Sequence, residues 1–318
     1  MKKLIAILLA TLMLLSMAAC GGTADDGKFV VGVCQLVKHE ALDAATKGFV
    51  DTLKAELGDK VEIIEKVATG DMNSCTPIIN DFVAKDVDLI MANATPALQA
   101  ASQATEDIPI LGTSVTEYGV ALDLKDFKGT VGTNVSGTSD LAPLDKQAEM
   151  ITEWFPTAKK VGLLYCSAEA NSIYQVEKVA EYLAAKNITA TKYAFSDTND
   201  LQAVTQKAAD ESDVIYIPTD NAAAAATETI NGVCSAAKKP VIAGEEGICK
   251  GCGVAALSIS YYDLGVTTAK MAVKILKGEA KVAEMPIEYA EATKKYNAKI
   301  CQEMGLTTIP EGYKAIEE

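Results

Sequence analysis

The stretch Asp-Leu-Ile-Met-Ala-Asn-Ala-Thr-Pro-Ala at residues 88–97 decides the fold, because a similar stretch, Asp-Val-Ile-Tyr-Ile-Pro-Thr-Asp-Asn-Ala, follows at residues 213–222. Each predicts a short buried strand, a polar turn and an Ala-rich helix. Thr95 suits the N-cap of the first helix and Pro96 its first position, while Thr219 or Asp220 suits the second N-cap. Since helix N-termini carry unpaired N–H groups and partial positive charge, we expect these two to face each other across a ligand cleft.

The same alternation of strand and helix surrounds both stretches. In the first half it predicts elements at residues 29–34, 41–57, 61–67, 76–85 (with Pro77 near its start) and 108–113. The pattern restarts at Val161, and Pro240–Gly244 matches Pro109–Thr113 at an offset of 131. The chain is therefore predicted to be α/β, with two similar doubly wound parallel-sheet lobes.

The remaining segments are predicted to join the lobes. Residues 129–141 are rich in Gly, Ser and Thr and suit a connection, and later elements at 255–260, 264–277 and 286–290 suit further crossings. Such a multi-crossing hinge lets two lobes close over a ligand. We assign residues 28–137 plus 261–284 to an N-terminal lobe and residues 138–260 plus 285–318 to a C-terminal lobe.

The first residues are a targeting segment. Lys2 and Lys3 precede an apolar run to Leu15, which is shorter than the roughly 20 residues of a transmembrane helix. Met-Ala-Ala-Cys at residues 17–20 resembles a bacterial lipobox. We therefore expect a signal peptide at 1–19, lipidation of Cys20 and a tether to residue 27; an ordinary secretory signal or an uncleaved anchor is the alternative. The protein would be exported and lipid-anchored at the outer face of the cytoplasmic membrane, or on the periplasmic side in a host with an outer membrane.

Composition excludes several classes of function. The net charge of −14 argues against nucleic-acid binding, and the absence of Arg rules out a guanidinium clamp for a carboxylate or phosphate. One His and a single close Cys pair, Cys249 and Cys252, argue against a metal site. That pair lies in a Gly-rich segment predicted to be a loop, which favours a labile disulfide or two idle thiols over redox catalysis. No cofactor is predicted.

Seven further motifs carry a resemblance that spans nearly all of residues 28–305. They are Val31-Gly32-Val33 with His39-Glu40-Ala41-Leu42-Asp43; Asn93-Ala94-Thr95-Pro96-Ala97; Gly137-Thr138-Ser139-Asp140; Glu169-Ala170-Asn171-Ser172; Pro218-Thr219-Asp220-Asn221; Ala243-Gly244-Glu245-Glu246-Gly247; and Tyr261-Tyr262-Asp263-Leu264-Gly265. In this order, and with the lipobox, they resemble the substrate-binding lipoproteins of ABC importers, in the tryptophan/tyrosine-type branch with a type I periplasmic-binding-protein fold.

The resemblance implies a receptor and not an enzyme. It implies a monomer that binds an amino acid, with tryptophan, tyrosine or phenylalanine favoured, and delivers it to an ABC permease and its ATPase. Two alternatives stay open: a ligand sensor of the same fold that signals through a membrane partner, and a receptor for a sugar or nucleoside.

The cleft can be located without coordinates, because ligands of open α/β sheets lie beyond the carboxyl ends of the strands. The hydroxyls of Thr95, Thr113 and Ser114, with N–H groups at the Pro96 helix start, are the predicted carboxylate site. Asp220 and Glu246 are predicted to bind the ammonium group, with Glu169 in reserve and helix capping as the alternative for Asp220. The full predicted ligand-binding set is Gln35, Leu36, His39, Asn93, Thr95, Pro96, Thr113, Ser114, Ser139, Asp140, Glu169, Asn171, Tyr174, Thr219, Asp220, Asn221, Glu245 and Glu246.

The pocket for the ligand's side chain is less defined by the sequence. Tyr174, Tyr118, Leu36 and Pro218 could form an aromatic slot, although aromatic residues at helical spacing more often belong to a core. Trp154, the sole tryptophan, ends a predicted helix and is expected to pack in the interior.

Overall fold

The computed structural model describes residues 27–317, so the predicted leader and Cys20 lie outside it. Within this range, no helix combines the length and apolarity needed to cross a membrane. The strands are β1 (Phe29–Gln35), β2 (Val61–Val67), β3 (Leu89–Asn93), β4 (Ile110–Val115), β5 (Val135–Ser139), β6 (Lys160–Cys166), β7 (Thr189–Phe195), β8 (Val214–Ile217), β9 (Val241–Ala243), β10 (Ala255–Ser258), β11 (Glu288–Tyr289), β12 (Thr293–Tyr296) and β13 (Lys314–Ala315).

The α-helices alternate with the strands for most of the chain. They are α1 (Glu40–Leu57), α2 (Met72–Ala84), α3 (Thr95–Ala104), α4 (Tyr118–Ala121), α5 (Leu144–Trp154), α6 (Ala170–Ala185), α7 (Thr198–Glu211), α8 (Asn221–Ala224), α9 (Thr227–Ala236), α10 (Glu246–Cys252), α11 (Tyr261–Leu276) and α12 (Ala298–Glu303).

The strands form two sheets of the same design. The first sheet has the order β11-β5-β4-β3-β1-β2 and the second has the order β13-β12-β10-β9-β8-β6-β7. The pairs are parallel except for β10 with β12. In each sheet the first strand of the repeat, β1 or β6, lies between the second and third, so both are doubly wound with a switch point beside that strand. The predicted fold of two similar parallel-sheet lobes is confirmed.

The chain crosses between the lobes three times: after β5, after β10 and between β11 and β12. At the second crossing α11 returns to the first lobe and packs on α1. Gly48 and Gly265 permit this close approach, since a Cβ at either would meet a backbone carbonyl oxygen of the other helix. A chain of hydroxyls, Thr113 to Thr138 (3.3 Å) and Thr138 to Thr268 (2.9 Å), joins α11 to the sheet. The hinge is thus anchored firmly in the first lobe.

Four local predictions differ from the structure. The second helix begins at Met72 instead of residue 76, because Asp71 and Ser74 form a capping box, and Pro77 lies inside the helix. The connection predicted at 129–141 contains β5, and Cys249 and Cys252 belong to α10 instead of a loop. β11 pairs with β5 in the first sheet, whereas residues 285–318 had been assigned to the second lobe. The division into lobes otherwise stays a prediction.

Candidate functional site

The carboxyl ends of the strands from both sheets meet between the lobes. Next to the switch point of the first sheet, β1 runs into the loop at residues 36–39 and β3 runs into α3. Next to the switch point of the second sheet, β6 runs into α6 and β8 runs into α8. This is the position in which doubly wound sheets bind ligands.

A cavity of about 450 Å³ lies at this position, and we call it the inter-lobe cavity. Its volume falls in the range of small-molecule sites. Both lobes line it, with Val37, Thr69, Gly70, Asp71, Met72, Pro96 and Gln99 from the first and Cys166, Ala168, Glu169, Ser196, Asp197, Thr198, Asn221, Ala222 and Ala225 from the second. The predicted helix starts at Pro96 and Asn221 therefore do border one cleft.

Glu169 is the most heavily hydrogen-bonded acid of the cavity. Its Oε2 accepts from the Asn221 side chain (2.6 Å), the Asn221 backbone N–H (3.1 Å) and the Asn171 side chain (3.1 Å). Its Oε1 accepts from the N–H of Ala222 (2.9 Å). Glu169 thus fixes the start of α8, and the positive end of that short helix is already matched by a carboxylate.

Hydrogen bonds continue from Glu169 in both directions to the first lobe. On one side the Asn221 Oδ1 lies 3.3 Å from His39 Nε2. On the other side Asn171 donates to the Thr219 carbonyl (2.9 Å), and the Tyr261 side chain interacts with Thr219 and donates to Asp140 Oδ2 (3.0 Å). We call these seven residues the polar network: His39, Asn221, Glu169, Asn171, Thr219, Tyr261 and Asp140.

Buried polar atoms without a partner concentrate in and around the polar network, which adjoins the inter-lobe cavity through Glu169 and Asn221; none of the residues that carry these atoms lines the cavity itself. Among the described residues, seven buried side-chain nitrogen or oxygen atoms lack a hydrogen-bond partner, and five of them lie in the polar network or at the adjoining strand ends. These five atoms are His39 Nδ1, Asn93 Oδ1, Ser114 Oγ, Asp140 Oδ1 and Asn171 Oδ1. Such an atom costs about 1–3 kcal/mol, so folding alone does not account for the cluster.

Four of the five atoms are hydrogen-bond acceptors. The side-chain N–H₂ groups of Asn93 and Asn171 donate to the carbonyls of Leu42 (2.9 Å) and Thr219, which leaves each Oδ1 as the free atom. The Asp140 oxygen can only accept when ionised, and His39 bonded through Nε2–H leaves Nδ1 as an acceptor. The site is therefore suited to a group that carries several donors.

Strained backbone marks the strand ends of the first lobe. Ala94 follows β3 with φ of 95°, and Ser114 in β4 has φ of 53°, both buried and neither a glycine. A non-glycine residue in this region costs of order 1–3 kcal/mol and persists where the surroundings impose it. Ala94 is also the N-cap of α3 and supplies no side-chain cap, so the predicted role of Thr95 as N-cap is wrong. Thr95 and Pro96 are instead the first two helical residues.

Burial shifts the acids of the site toward the protonated form. Burial raises the pKa of Asp140 to about 6, opposed by the hydrogen bond from the Tyr261 hydroxyl. Burial, and then the nearby charge of Asp220, raise the pKa of Glu169 to about 7. Burial likewise raises the pKa of Glu245 to about 7. A cationic group bound next to Asp140 or Glu169 would favour the ionised carboxylate.

Several predicted residues serve the protein interior instead of the cavity. Gln35 bonds Asp43 (2.6 Å) and Thr46 (2.6 Å) within the first lobe, and Ser139 donates to the Thr116 carbonyl (2.8 Å). Thr113 belongs to the hydroxyl chain under α11. Leu36 and Tyr118 are fully buried in the first-lobe core, and neither lines the inter-lobe cavity.

The acids predicted to bind the ammonium group differ in the hydrogen bonds and ion pairs that they already form within the protein. Asp220 accepts from the N–H groups of Cys166 (2.6 Å) and Ala223 (2.8 Å) and does not line the inter-lobe cavity. The geometry of Asp220 thus matches its capping alternative. Glu245 caps α10, and Glu246 lies 3.7 Å from Lys295; both line a second cavity of about 330 Å³ on the Tyr261 side.

Two further candidates lie elsewhere. Tyr174 is partly exposed on α6, where burial and then the charge of Glu117 raise its pKa, and neither it nor Pro218 lines the inter-lobe cavity. The cavity residues that sequence reasoning missed include two groups that follow β2 and β7, at residues 69–72 and 196–198. The rule that ligands lie beyond strand ends would have found them, had it been applied to every strand.

A family model described as "ABC transporter substrate binding protein" matches residues 30–313. The chain belongs to this family. The predicted class, the substrate-binding protein of an ABC transporter, is thereby confirmed.

Relatives of this family member include proteins with named ligands. A protein named "tyrosine-binding protein" from Clostridioides difficile is 35% identical over 83% of this chain and 76% of its own length. The crystal structure of an ABC domain in complex with L-Trp from Streptococcus pneumoniae is 34% identical, covers 91% of this chain and 100% of its own, and has a TM-score of 0.85. A ligand-free, open structure of a substrate-binding protein with adhesive properties from Clostridium difficile is 35% identical, covers 91% and 99%, and has a TM-score of 0.68.

The two crystal structures resemble this protein to different degrees, although their sequence identities to it are nearly equal. The higher TM-score with the L-Trp complex indicates that the lobes here are arranged more as in that complex than as in the open structure. Direct contacts between the lobes agree: His39 approaches Asn221, and Glu40 forms an ion pair with Lys250 (3.0 Å). The two lobes of this family member thus contact each other directly across the cleft, and we call this the closed arrangement.

The seven cysteines of the described residues are all buried and free. In α10 the thiol of Cys252 donates to the Ile248 carbonyl (3.3 Å) and that of Cys249 approaches the Gly253 carbonyl (3.7 Å). Burial raises the pKa of both thiols well above the usual value. Of the two alternatives for the Cys249–Cys252 pair, idle thiols fit this geometry better than a labile disulfide.

Proposed function

We propose that this substrate-binding protein is the receptor for an amino acid, with an aromatic one favoured, and that it delivers this ligand to the permease and ATPase of an ABC importer. The observation that carries the proposal is the cluster of five buried polar atoms without a partner, contributed by both lobes at the carboxyl ends of their strands. An α-ammonium group brings three donors, and four of these atoms accept.

The ammonium group is placed between Asp140 and Glu169. Asp140 has one oxygen without a partner, and Glu169 lines the cavity with a carboxylate. Glu169, held in reserve by the sequence reasoning, thus replaces Asp220 and Glu246 as a leading candidate. Hydrogen bonds that involve a charged group contribute about 1.5–3 kcal/mol each, which is enough to hold a zwitterion without an Arg.

The carboxylate is placed at the start of α3. Three other helices that begin at the cavity, α2, α7 and α8, have acidic side chains bonded to their first N–H groups. The N-terminus of α3 has neither a side-chain cap nor an acid in its first turn. Its positive end, the Thr95 hydroxyl and the unpartnered Ser114 hydroxyl next to it are suited to an anion.

The ligand's side chain is placed in the inter-lobe cavity. Val37, Met72 and Pro96 from one lobe and Ala168, Ala222 and Ala225 from the other offer apolar surface for a ring. The named ligands of the relatives, tyrosine and L-Trp, support an aromatic side chain. Lipidation at Cys20, membrane anchoring on the outer side and a monomeric state belong to the same proposal.

Thermal shift of the purified protein against the twenty amino acids, nucleosides and common sugars tests this function. A ligand at 100 times its Kd adds about 2.7 kcal/mol to the free energy of unfolding, which gives an easily measured shift. We expect shifts with tryptophan, tyrosine or phenylalanine. A shift with a sugar or nucleoside alone would discard the ammonium and carboxylate sites. Transport and sensing are distinguished by uptake of the labelled ligand in cells that lack the protein.

A further inference from the structure

The outer end of the inter-lobe cavity is built from the two strands that lie farthest from the hinge. Thr69, Gly70, Asp71 and Met72 join β2 to α2, and Ser196, Asp197 and Thr198 join β7 to α7. β2 and β7 are the terminal strands of their sheets, at the opposite edge from the crossings. Since Glu169 and Asn221 form the inner end, the far end of a bound side chain would point between these two loops.

Each loop places an aspartate at the cavity. Asp71 Oδ1 accepts from the N–H of Ser74 (2.9 Å), and Asp197 Oδ1 accepts from the N–H of Asn199 (2.7 Å). They cap helices of 13 and 14 residues, whose N-termini would otherwise attract an anion. The side chain of Asp197 also accepts from the backbone N–H of Asp200 in a capping box. Both aspartates are exposed, so each helix end presents a solvated carboxylate at the cavity.

No cation of the described residues offsets this charge inside the cavity. Its lining contains three acids, Asp71, Asp197 and Glu169, and no lysine. The chain has no arginine. An anionic group at the outer end would face two aspartates with no counter-charge, whereas an O–H, N–H or ammonium group would find two acceptors.

We propose that Asp71 and Asp197 determine specificity for the far end of the ligand's side chain: they admit a hydrogen-bond donor or a cation and exclude a carboxylate. This inference rests on the proposed function, because it takes the amino-acid end of the ligand to lie at Glu169. It limits the ligands to amino acids whose side chain ends in a neutral, donating or basic group.

A series of L-phenylalanines that differ only in the substituent at position 4 of the ring tests the inference. The decisive pair is 4-carboxy- and 4-carbamoyl-phenylalanine, which have nearly the same shape and differ in charge. By calorimetry we expect the carboxy compound to bind at least about 10-fold more weakly than the carbamoyl compound, equivalent to about 1.4 kcal/mol. Tyrosine and 4-aminomethyl-phenylalanine should bind at least as tightly as phenylalanine.

Asp71→Asn with Asp197→Asn removes both charges and keeps both helix caps, because Asn caps a helix as well as Asp. In this double variant we expect the 10-fold penalty, measured as the ratio of the two Kd values, to fall below about 3-fold. Asp81→Asn is the matched control: Asp81 lies on the same helix, pairs with Lys85 at the surface and does not line the cavity, so the penalty should persist.

Two results would overturn the inference alone: equal binding of the carboxy and carbamoyl compounds to the unmodified protein, or an undiminished penalty in the double variant. Failure of phenylalanine, tyrosine and the substituted compounds to bind at all would overturn the proposed function, and this inference with it.

Discussion

At the scale of single residues, Asp140 and Glu169 combine burial with incomplete or shared hydrogen bonding. Asp140 directly follows β5, with one oxygen bonded to Tyr261 and the other without a partner. Glu169 shares its oxygens among the N–H groups at the start of α8. A ligand's ammonium group would donate to the unpartnered oxygen of Asp140 and would add a charged partner to the hydrogen bonds of Glu169. Ligand binding therefore depends on the charge of both acids.

Asp140→Asn should weaken amino-acid binding at least 10-fold and leave the fold intact. The substitution keeps an oxygen for the Tyr261 hydroxyl and removes the charge, and loss of a charge-assisted hydrogen bond costs more than about 1.4 kcal/mol. Calorimetric titration measures the loss, and thermal unfolding without ligand is the control. Ser139→Ala, next to it but directed at the Thr116 carbonyl, should change affinity much less. Unaltered affinity in Asp140→Asn would remove Asp140 from the site.

Thr95→Ala should also weaken binding about 10-fold, through loss of a hydroxyl to the ligand carboxylate. Asp220→Ala, in contrast, should act mainly on stability, because Asp220 caps α8 and also accepts from Cys166. Loss of such a cap costs about 0.5–2 kcal/mol. Chemical denaturation alongside titration separates the two effects. Reduced affinity at full stability in Asp220→Ala would restore Asp220 to the ligand site.

pH should move ligand affinity and ligand-free stability in opposite directions. Burial raises the pKa of Asp140 to about 6 and that of Glu169 to about 7, above the values of about 4 in an unfolded chain. Between pH 4 and 7 the folded state therefore binds more protons, so these groups make the ligand-free protein less stable as pH rises. An ammonium ligand needs the carboxylates, so its affinity should rise from pH 5 to 8. Unfolding and titration at both pH values check this, and pH-independent affinity would contradict it.

Side-chain direction at strand ends limited what the sequence could specify at this scale. Leu36 was placed in the pocket and lies in the core, while its neighbour Val37 lines the cavity. Successive side chains of an extended segment point to opposite sides, so an error of one residue exchanges core and cavity. The strand-end rule predicts Asn93, Ser114, Asp140 and Asn171 as site residues, but only the packing determines which of their atoms stays unpaired.

At the scale of elements, the loop before α1 joins the lobes in the closed arrangement. His39 bonds Asn221 of α8, and Glu40 pairs with Lys250 of α10. Asn221 in turn holds Glu169, so closure and the ammonium site share one residue. The His39 contact is partly buried, whereas the Glu40–Lys250 pair is about half exposed and such pairs contribute at most about 1 kcal/mol.

His39→Ala should therefore speed ligand release about 3- to 10-fold, corresponding to a hydrogen bond of about 0.5–1.5 kcal/mol. Glu40→Gln should change release less, and Lys47→Met, which breaks an exposed pair with Asp51 inside the first lobe, should not change it. Stopped-flow displacement of bound ligand gives the rates. An unchanged release rate in His39→Ala would show that the loop does not hold the lobes closed.

The thiols of α10 should be inert in the folded protein. Cys249 and Cys252 are buried, and burial raises the pKa of each, so the reactive thiolate is scarce. Iodoacetamide followed by mass spectrometry should label them only after unfolding. Rapid labelling of either residue in the native protein would contradict this burial.

Hydrophobic periodicity explains which elements the sequence located well, and capping and strand pairing explain which it missed. The repeated strand–turn–helix pattern placed β3, β8 and α1 closely, because hydrophobic periodicity marks buried segments. The start of α2 lies four residues before the predicted start at Thr76, because Asp71 and Ser74 form a capping box that the placement of Pro77 near the helix start overlooks. β5 was missed because its small polar residues, Val-Ser-Gly-Thr-Ser, are typical of a loop; pairing with β4 and β11 makes it a strand.

At the scale of the whole molecule, two sheets of the same order face each other through their switch points. This arrangement follows from the repeat and was predictable from the sequence. The cavity between the lobes was not, because its shape depends on how three crossings orient the lobes. That orientation decides that β2 and β7 contribute to the cavity.

The central claim is that a zwitterion is held between the lobes, with its ammonium group at Asp140 and Glu169 and its carboxylate at the start of α3. Calorimetric titration with L-tryptophan, tryptamine and indole-3-propionate tests it most directly, since the amine lacks the carboxylate and the acid lacks the ammonium group. We predict that L-tryptophan binds and that each analogue binds at least about 10-fold more weakly, a loss of at least about 1.4 kcal/mol. Binding of either analogue as tightly as the amino acid would contradict the account.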